Sequence, residues 1–176
     1  FANSTGGRNV ALGRLALTKN TTGCCNTALG DASMICNTTG NHNTAVGLNS
    51  LFCNTIGSDN VIMGHSAGFY NTEGDKNTAL GRSAMFKNTT GSKNVALGHL
   101  ALCANTNTGE NTAIGHYALR SSTQSSLTAV GSLTLCSNTT GASNVAVGRA
   151  SLRQNTIGCG NVALGNDALE LNTTGN

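Results

Sequence analysis

The sequence predicts an all-β fold, a parallel β-solenoid or β-roll of about ten coils, each 17 residues long. A repeat of fixed length runs through the whole chain, and each repeat contains a single short run of β-branched residues bounded by Asn and Gly. The repeat consensus is N-T-T-G-x-x-N-[TV]-A-[LV]-G-x-x-[AS]-L-x-x, and its positions are numbered 1 to 17 below. This unit is too short for a helical repeat, which needs roughly 33 residues or more.

Position 7 marks the repeat most clearly, with one exception. Its asparagines are Asn9, Asn26, Asn43, Asn60, Asn77, Asn94, Asn111, Asn144 and Asn161. Leu127 takes this position in the remaining coil, and it follows Asn111 by 16 residues instead of 17. With Ser121 as position 1 of that coil, the missing residue and a missing position-4 glycine predict an irregular coil near residues 120–127.

We expect one coil to hold two short strands and two turns, built from three sequence segments in order. N-T-T-G-x-x has the composition of a turn, because Asn and Gly tolerate positive φ and Asn bonds its own backbone. N-[TV]-A-[LV]-G is typical of a strand. The [AS]-L-x-x segment predicts a second, weaker strand. Successive coils would stack as parallel strands about 4.8 Å apart, which gives a rod roughly 48 Å long.

Stacking places equal positions above one another. We therefore expect the position-7 asparagines to form a structural ladder of amide hydrogen bonds, as in stacked parallel strands. Ligand binding is the alternative role for these side chains. We interpret residues 1–176 as a single solenoid repeat domain and as a segment of a longer fibre.

The strand is apolar on both faces. Position 9 is Ala in every coil except at Ile62, and position 10 is always a larger apolar residue. Strands of this kind are covered on both faces. One face can fill the solenoid interior, and the other predicts a partner, for which a symmetric homo-oligomer is the usual solution. A monomer stays open, because positions 9, 10, 11 and 15 together could just fill the interior.

The strand segments NTALG (residues 26–30), NTAVG (43–47) and NVALG (94–98) resemble the strand motif in the heads of trimeric autotransporter adhesins. The longer unit is similar to repeats of phage-type and bacterial tail-fibre proteins. The resemblance covers the whole chain. It implies a homotrimer placed outside the cell, on a cell surface or in a virion fibre, that attaches to a host-surface or matrix receptor.

Composition excludes several functions. The net charge of +3 is scattered, which predicts no nucleic-acid partner. No apolar run approaches the roughly 18 residues that span a bilayer, so we expect no membrane insertion of this segment. The seven acidic residues fall at unrelated repeat positions. We therefore expect no enzymatic activity, no catalytic residues, no cofactor and no metal site.

Three groups of side chains share repeat positions and are candidate contacts. The four phenylalanines all occupy position 16, and Phe52, Phe69 and Phe86 follow one another in consecutive coils, either as packing or as a contact surface for a partner. Cys36 and Cys53 share position 17 in adjacent coils, within reach of a disulfide. The histidines His65, His99 and His116 share position 12, whereas His42 stands alone.

Three functions follow from this pattern. The first is a structural fibre or adhesin rod that presents contacts at positions 5, 6, 12, 13, 16 and 17. The second is a self-assembling extracellular filament subunit. The third and weakest is ice binding, because position 2 is Thr or Ser in every coil while position 3 is interrupted by Ile56, Glu73, Asn107 and Ile157.

Overall fold

The structure, a computed structural model that describes residues 5–175, is an all-β parallel solenoid. Each coil contributes one strand of three residues, taken from the middle of N-[TV]-A-[LV]-G. The strands are β1 (Val10–Leu12), β2 (Thr27–Leu29), β3 (Thr44–Val46), β4 (Val61–Met63), β5 (Thr78–Leu80), β6 (Val95–Leu97), β7 (Thr112–Ile114), β8 (Thr128–Val130), β9 (Val145–Val147) and β10 (Val162–Leu164). Phe1 lies outside the described residues. Residues 5–175 contain no helix that could cross a membrane.

The ten strands form one parallel sheet in chain order. The register places equal repeat positions side by side, so that Ala28 pairs with Ala45 and Leu29 with Val46. This register is strongly specified, because a shift of one residue would move every alanine from the interior to the outside. The parallel solenoid predicted from the repeat is therefore confirmed.

The prediction of a second strand at [AS]-L-x-x was wrong, because the described coils form turns there. The residue at position 15 has a left-handed backbone, for example Leu17 at φ 52° and Leu102 at φ 51°. The Asn20 N–H then bonds the Leu17 carbonyl at 3.3 Å, which turns the chain into the next coil. A left-handed L-residue costs about 1–2 kcal/mol, so coil closure and side-chain burial outweigh the extended preference of this segment.

Hydrogen bonds join the coils outside the sheet as well. The N–H groups of Thr21, Thr22 and Gly23 all lie within 3.2 Å of the Thr38 carbonyl one coil later. The hydroxyl of Thr21 donates to the same carbonyl at 2.9 Å. Turn segments are thereby held at a fixed stacking distance although they are not strands.

Glycine after the strand is required by close approach between coils. Gly30 has φ 137°, and a Cβ added to it would lie 2.5 Å from the Gly47 carbonyl oxygen. Any other residue would push the two coils apart. This contact explains why position 11 is Gly in every coil.

Small and large apolar side chains alternate in the interior. The middle residue of each strand points inward, as Ala45 and Ala96 do, and both are fully buried. The position-15 side chains Leu51 and Leu102 fill the rest of the apolar interior. Position 10, in contrast, points outward, so the interior is completed without it.

One coil exchanges the sizes of these two positions. Ile62 replaces Ala at position 9, and Gly68 replaces Leu at position 15 of the same coil. A Cβ on Gly68 would lie 3.3 Å from the Ile62 side chain and 3.4 Å from Leu51. Ile62 therefore occupies the space that a leucine at position 15 fills elsewhere.

The irregular coil lies where the sequence predicted it, but its first residue differs. Asn138 donates its side-chain amide to the Ser122 hydroxyl at 3.2 Å, and the Ser122 N–H bonds the Leu119 carbonyl at 3.3 Å. Both are the bonds of a position-1 residue. Ser122, not Ser121, thus holds position 1, and the missing residue lies between Ser122 and Leu127.

Candidate binding surfaces

The outward side of the sheet is uncharged and largely apolar. We call it the strand face, and it consists of the first and third residues of β1–β10. These residues are only Thr and Val at the first position, and Leu, Val, Ile and Met at the third. Several are well exposed, including Leu80 at 50%. A continuous surface without charge therefore runs along the solenoid.

Charged residues line this surface on both sides. Position 6 precedes the strand, and there Lys93 pairs with Glu110 of the next coil at 3.5 Å. Position 12 follows the strand, and there Arg14 pairs with Asp31 at 3.0 Å. These exposed pairs contribute little stability. They give the strand face a polar border.

The asparagines at position 7 bond three groups in the neighbouring coils. Asn43 accepts the Asn60 N–H at 3.0 Å through its side-chain oxygen, and its amide nitrogen donates to the Gly57 carbonyl at 2.7 Å. The same amide nitrogen lies 3.2 Å from the Asn26 side-chain oxygen. These bonds satisfy buried backbone groups, which is the structural role expected for this ladder.

A second amide ladder runs along position 1. Asn37 donates to the Asn20 side-chain oxygen at 2.8 Å and to the Gly40 carbonyl of its own coil at 3.1 Å. Asn54 repeats this pattern on Asn37 at 2.8 Å. Both ladders lie inside the solenoid, and Asn37, Asn43 and Asn54 are fully buried.

The irregular coil interrupts both ladders. Leu127 still donates its N–H to the Asn111 side-chain oxygen at 3.0 Å. The Asn111 amide nitrogen, however, is buried without a hydrogen-bond partner in the described structure. In other coils the amide nitrogen of the position-7 asparagine donates to a position-4 carbonyl fourteen residues later, as Asn94 donates to the Thr108 carbonyl at 3.0 Å. The missing residue displaces that carbonyl.

The three phenylalanines stack as the sequence placed them. The ring centroids of Phe52 and Phe69 are 4.8 Å apart, and those of Phe69 and Phe86 are 5.5 Å apart. Tyr70 packs edge-on against Phe69 at 4.8 Å and against Phe86 at 5.2 Å. We call these four residues the aromatic cluster. Tyr70 was not among the candidates, although its place at position 17 puts it beside the position-16 column.

His99 and His116 also stack, with ring centroids 5.4 Å apart. Tyr117 lies 4.0 Å from the His116 ring, and the Arg120 guanidinium lies 5.1 Å from the Tyr117 centroid. His65 is exposed and lies two coils before His99, with Arg82 between them at position 12. Aromatic and cationic groups thus form a second side-chain cluster on the outside of the solenoid.

Cys36 and Cys53 are free thiols in the structure. Burial raises the pKa of the Cys53 thiol, and the nearby Cys36 adds to this while Lys19 opposes it. The two thiols are therefore neighbours, and a disulfide between them stays a prediction for oxidising conditions.

Three further ligand-type side chains meet near the start of the solenoid. The side-chain ligand atoms of Cys24, Cys25 and His42 all lie within 4.8 Å of one another. A hydrogen bond between the two cysteine side chains holds the pKa of Cys24 above its usual value. From the sequence we expected His42 to stand alone. It follows Cys25 by one repeat, however, so both residues occupy position 6 and His42 stacks on Cys25.

Comparisons with protein-family models, with curated proteins and with solved structures found no match to this chain. The similarity to adhesin heads and tail fibres therefore rests on the repeat motif alone.

Proposed function

We propose that this chain is the rod of a homotrimeric extracellular fibre, which holds an adhesive surface at a distance from its anchor. The strand face supports this proposal most directly. It is uncharged along all ten strands, and in the single chain its larger side chains are half-buried or exposed. Covering these side chains with a second and third copy of the chain would remove them from water.

The dimensions of the strand face suit the centre of an interface. Ten strands spaced about 4.8 Å apart make the strand face about 48 Å long, and three residues per strand make it about 10 Å wide. Its area is therefore roughly 480 Å². The largest apolar patch of a typical monomer is about 300–600 Å² and is often functional. A stable interface buries about 800 Å² per partner, so the adjoining positions would have to take part.

The charged border completes the arrangement of a protein interface, which has an apolar centre and a polar rim. Positions 6 and 12 supply that rim on either side of the strand. Contacts around a three-fold axis are heterologous, so the position-6 side of the strand face in one copy would meet the position-12 side in the next. The strand face is then the assembly surface, and the remaining sides of the coil stay available.

Receptor contacts would lie on the remaining outward positions. Position 16 and position 17 differ from coil to coil and include the aromatic cluster, whose residues Phe52, Phe69 and Phe86 are half-buried and whose Tyr70 is 45% exposed. Aromatic side chains are typical anchors of protein interfaces. A constant framework that carries variable outward residues suits attachment better than catalysis.

The acidic residues support a structural role. Asp31, Glu110 and Asp167 each lie in an ion pair with an arginine or lysine of the neighbouring coil. They are spread along the solenoid and not gathered around one cleft. The position-2 hydroxyls, such as that of Thr38, donate to carbonyls of the next coil, which disfavours an ice-binding surface made from them.

The mass of the assembly in solution tests this proposal. Light scattering on the purified chain under reducing conditions should give three times the chain mass of 17.8 kDa. Leu80→Lys combined with Leu97→Lys places two charges on the strand face and should give the mass of one chain. A monomeric wild type would refute the proposal, and open-ended polymers would favour a filament subunit instead.

Thr90→Lys is the matched control, because Thr90 is exposed and lies at position 3, away from the strand face. It adds the same charge and should leave the trimer intact. Far-UV circular dichroism of every variant should match the wild type, since the substituted side chains point outward. A trimer that survives the Leu80 and Leu97 substitutions would exclude the strand face as the assembly surface.

A further inference from the structure

Cys24, Cys25 and His42 form a compact group of ligand-type side chains. Their sulfur and ring nitrogen atoms lie within 4.8 Å of one another. Cys24 and Cys25 are half-buried, and His42 is exposed, so the group opens to solvent. An ion could therefore enter without any opening of the solenoid.

Backbone hydrogen bonds fix these residues relative to one another. The His42 N–H donates to the Cys24 carbonyl at 3.0 Å, and the Cys25 N–H donates to the Gly7 carbonyl at 3.0 Å. The Cys24 N–H donates to the Asn41 side-chain oxygen at 2.8 Å. Ligands held on a rigid framework lose little entropy when they bind an ion.

Asp59 lies on the other side of the histidine. Its carboxylate oxygen is 3.6 Å from Nδ1 of His42. A carboxylate that accepts a hydrogen bond from one ring nitrogen orients the imidazole for a metal at the other, as in many carboxylate–histidine–zinc sites, and Asp59 would approach by about 0.5 Å to make that bond. Nε2 of His42 is then the nitrogen available to the ion.

The ligand chemistry selects a thiophilic ion. Two thiolates and one imidazole are ligands that Zn²⁺ prefers, and tetrahedral zinc with Zn–S bonds of about 2.3 Å places two sulfurs about 3.8 Å apart. The present separations, up to 4.8 Å, need only a shift of about 1 Å, which side-chain rotation at a half-exposed site provides. Three protein ligands leave a fourth position for water.

We propose that Cys24, Cys25 and His42 bind one zinc ion, with Asp59 as the positioning residue for His42. Each thiol releases its proton to solvent when the ion binds, and no electrons are transferred. The ion joins two adjacent coils, because the cysteines belong to one coil and the histidine to the next. It would stabilise that part of the solenoid, since an ion that binds only the folded chain shifts folding in its favour.

Titration of the reduced full chain with Co²⁺, in the absence of air, tests the site. Cobalt in a tetrahedral thiolate site gives visible d–d bands and a near-ultraviolet thiolate-to-cobalt band. We expect these bands to saturate at one ion per chain and to disappear when Zn²⁺ is added. Cys25→Ser and His42→Ala should each weaken cobalt binding at least tenfold. Asp59→Asn should weaken it about 10- to 100-fold.

Thermal unfolding supplies a second measurement that does not depend on colour. Zn²⁺ should raise the melting temperature of the wild type and leave that of Cys25→Ser unchanged. The matched control is Cys36→Ser combined with Cys53→Ser, which removes the other adjacent thiol pair and should keep the cobalt bands. Absence of the bands in the wild type, or an unchanged cobalt affinity in Cys25→Ser, would overturn the proposal.

Discussion

Asparagine side chains replace missing backbone partners inside each coil. A coil of this size turns sharply several times, and its interior contains N–H and carbonyl groups that a sheet cannot pair. The amides at positions 1 and 7 bond these groups and are themselves fully buried at Asn37, Asn43 and Asn60. A buried polar group left unpaired costs about 1–3 kcal/mol, which explains why these positions are so uniform.

Asn60 tests the importance of the position-7 ladder. Its amide nitrogen donates to the Asn43 side-chain oxygen at 3.0 Å and to the Gly74 carbonyl at 2.8 Å, and its oxygen accepts the Asn77 N–H at 2.9 Å. Asn60→Ala removes all three bonds to the neighbouring coils. We expect a loss of about 2–4 kcal/mol in the free energy of unfolding, measured by urea denaturation.

Asn107→Ala serves as the control for this loss. Asn107 is exposed at position 3 and accepts a hydrogen bond from Thr106 at 3.2 Å. We expect a change below about 0.5 kcal/mol, as for most surface substitutions. Similar losses in the two variants would contradict the structural role of the ladder.

At the scale of the coil, the total volume of the interior side chains stays similar, although the large side chain can come from position 9 or from position 15. Ile62 and Gly68 exchange the large and small residues of positions 9 and 15, and both remain buried. Protein interiors are close-packed, so either change alone would leave a cavity or a clash. The two substitutions compensate each other within one coil.

A double-mutant cycle at these two residues measures that compensation. Gly68→Leu should be strongly destabilising, because its side chain would meet Ile62 and Leu51. Ile62→Ala should also destabilise, by about 2–5 kcal/mol, because it leaves a cavity. The double variant restores the consensus of the other coils, and we expect a coupling of about 1–3 kcal/mol in thermal or urea unfolding. Additive losses would show that the two sites are independent.

The repeat period predicts the sheet, because the same strand segment recurs at a constant spacing and can stack only in parallel. The turn at position 15 was not predictable from propensity, since Leu17 and Leu102 adopt a left-handed backbone that Leu rarely has. Ser121 and Ser122 are chemically identical, and only the hydrogen bonds of the structure distinguish which one is position 1. Local composition therefore specifies the strand better than the closure of the coil.

The candidate sites also divide into contacts that the repeat period predicts and contacts that it does not. Columns of equal position, such as Phe52, Phe69 and Phe86, follow directly from stacking. Contacts between different positions, such as those of Tyr70 with the phenylalanines, depend on side-chain directions that the period does not specify. The group around His42 combines both, because His42 stacks on Cys25 while Cys24 reaches it from the neighbouring position.

At the scale of the whole molecule, stability and length both grow one coil at a time. Within residues 5–175, each strand contacts only the strands before and after it, and the strands pair strictly in chain order. The free energy of such a protein is approximately a sum over repeats and their interfaces. The irregular coil shows that one residue can be lost from a turn, at the cost of a buried amide nitrogen of Asn111 without a hydrogen-bond partner among the described residues.

Removing one complete coil should therefore shorten the rod without unfolding it. Deletion of residues 88–104 takes out 17 residues and brings Asn71 next to Asn105 and Asn77 next to Asn111, so both ladders continue. Lys76 then faces Glu110, which keeps an opposite charge pair at position 6. We expect an unchanged circular dichroism spectrum and a maximum dimension about 5 Å smaller in small-angle X-ray scattering, one strand spacing.

Deletion of residues 88–103 is the control, because it removes one residue fewer and includes the same strand. The following coils would then have to take up an extra residue at the junction, or slip by one position and turn their interior side chains outward. We expect a melting temperature well below that of the 17-residue deletion. Equal stability of the two deletions would mean that the coils tolerate a change of register, and that the repeat length is not what holds the solenoid together.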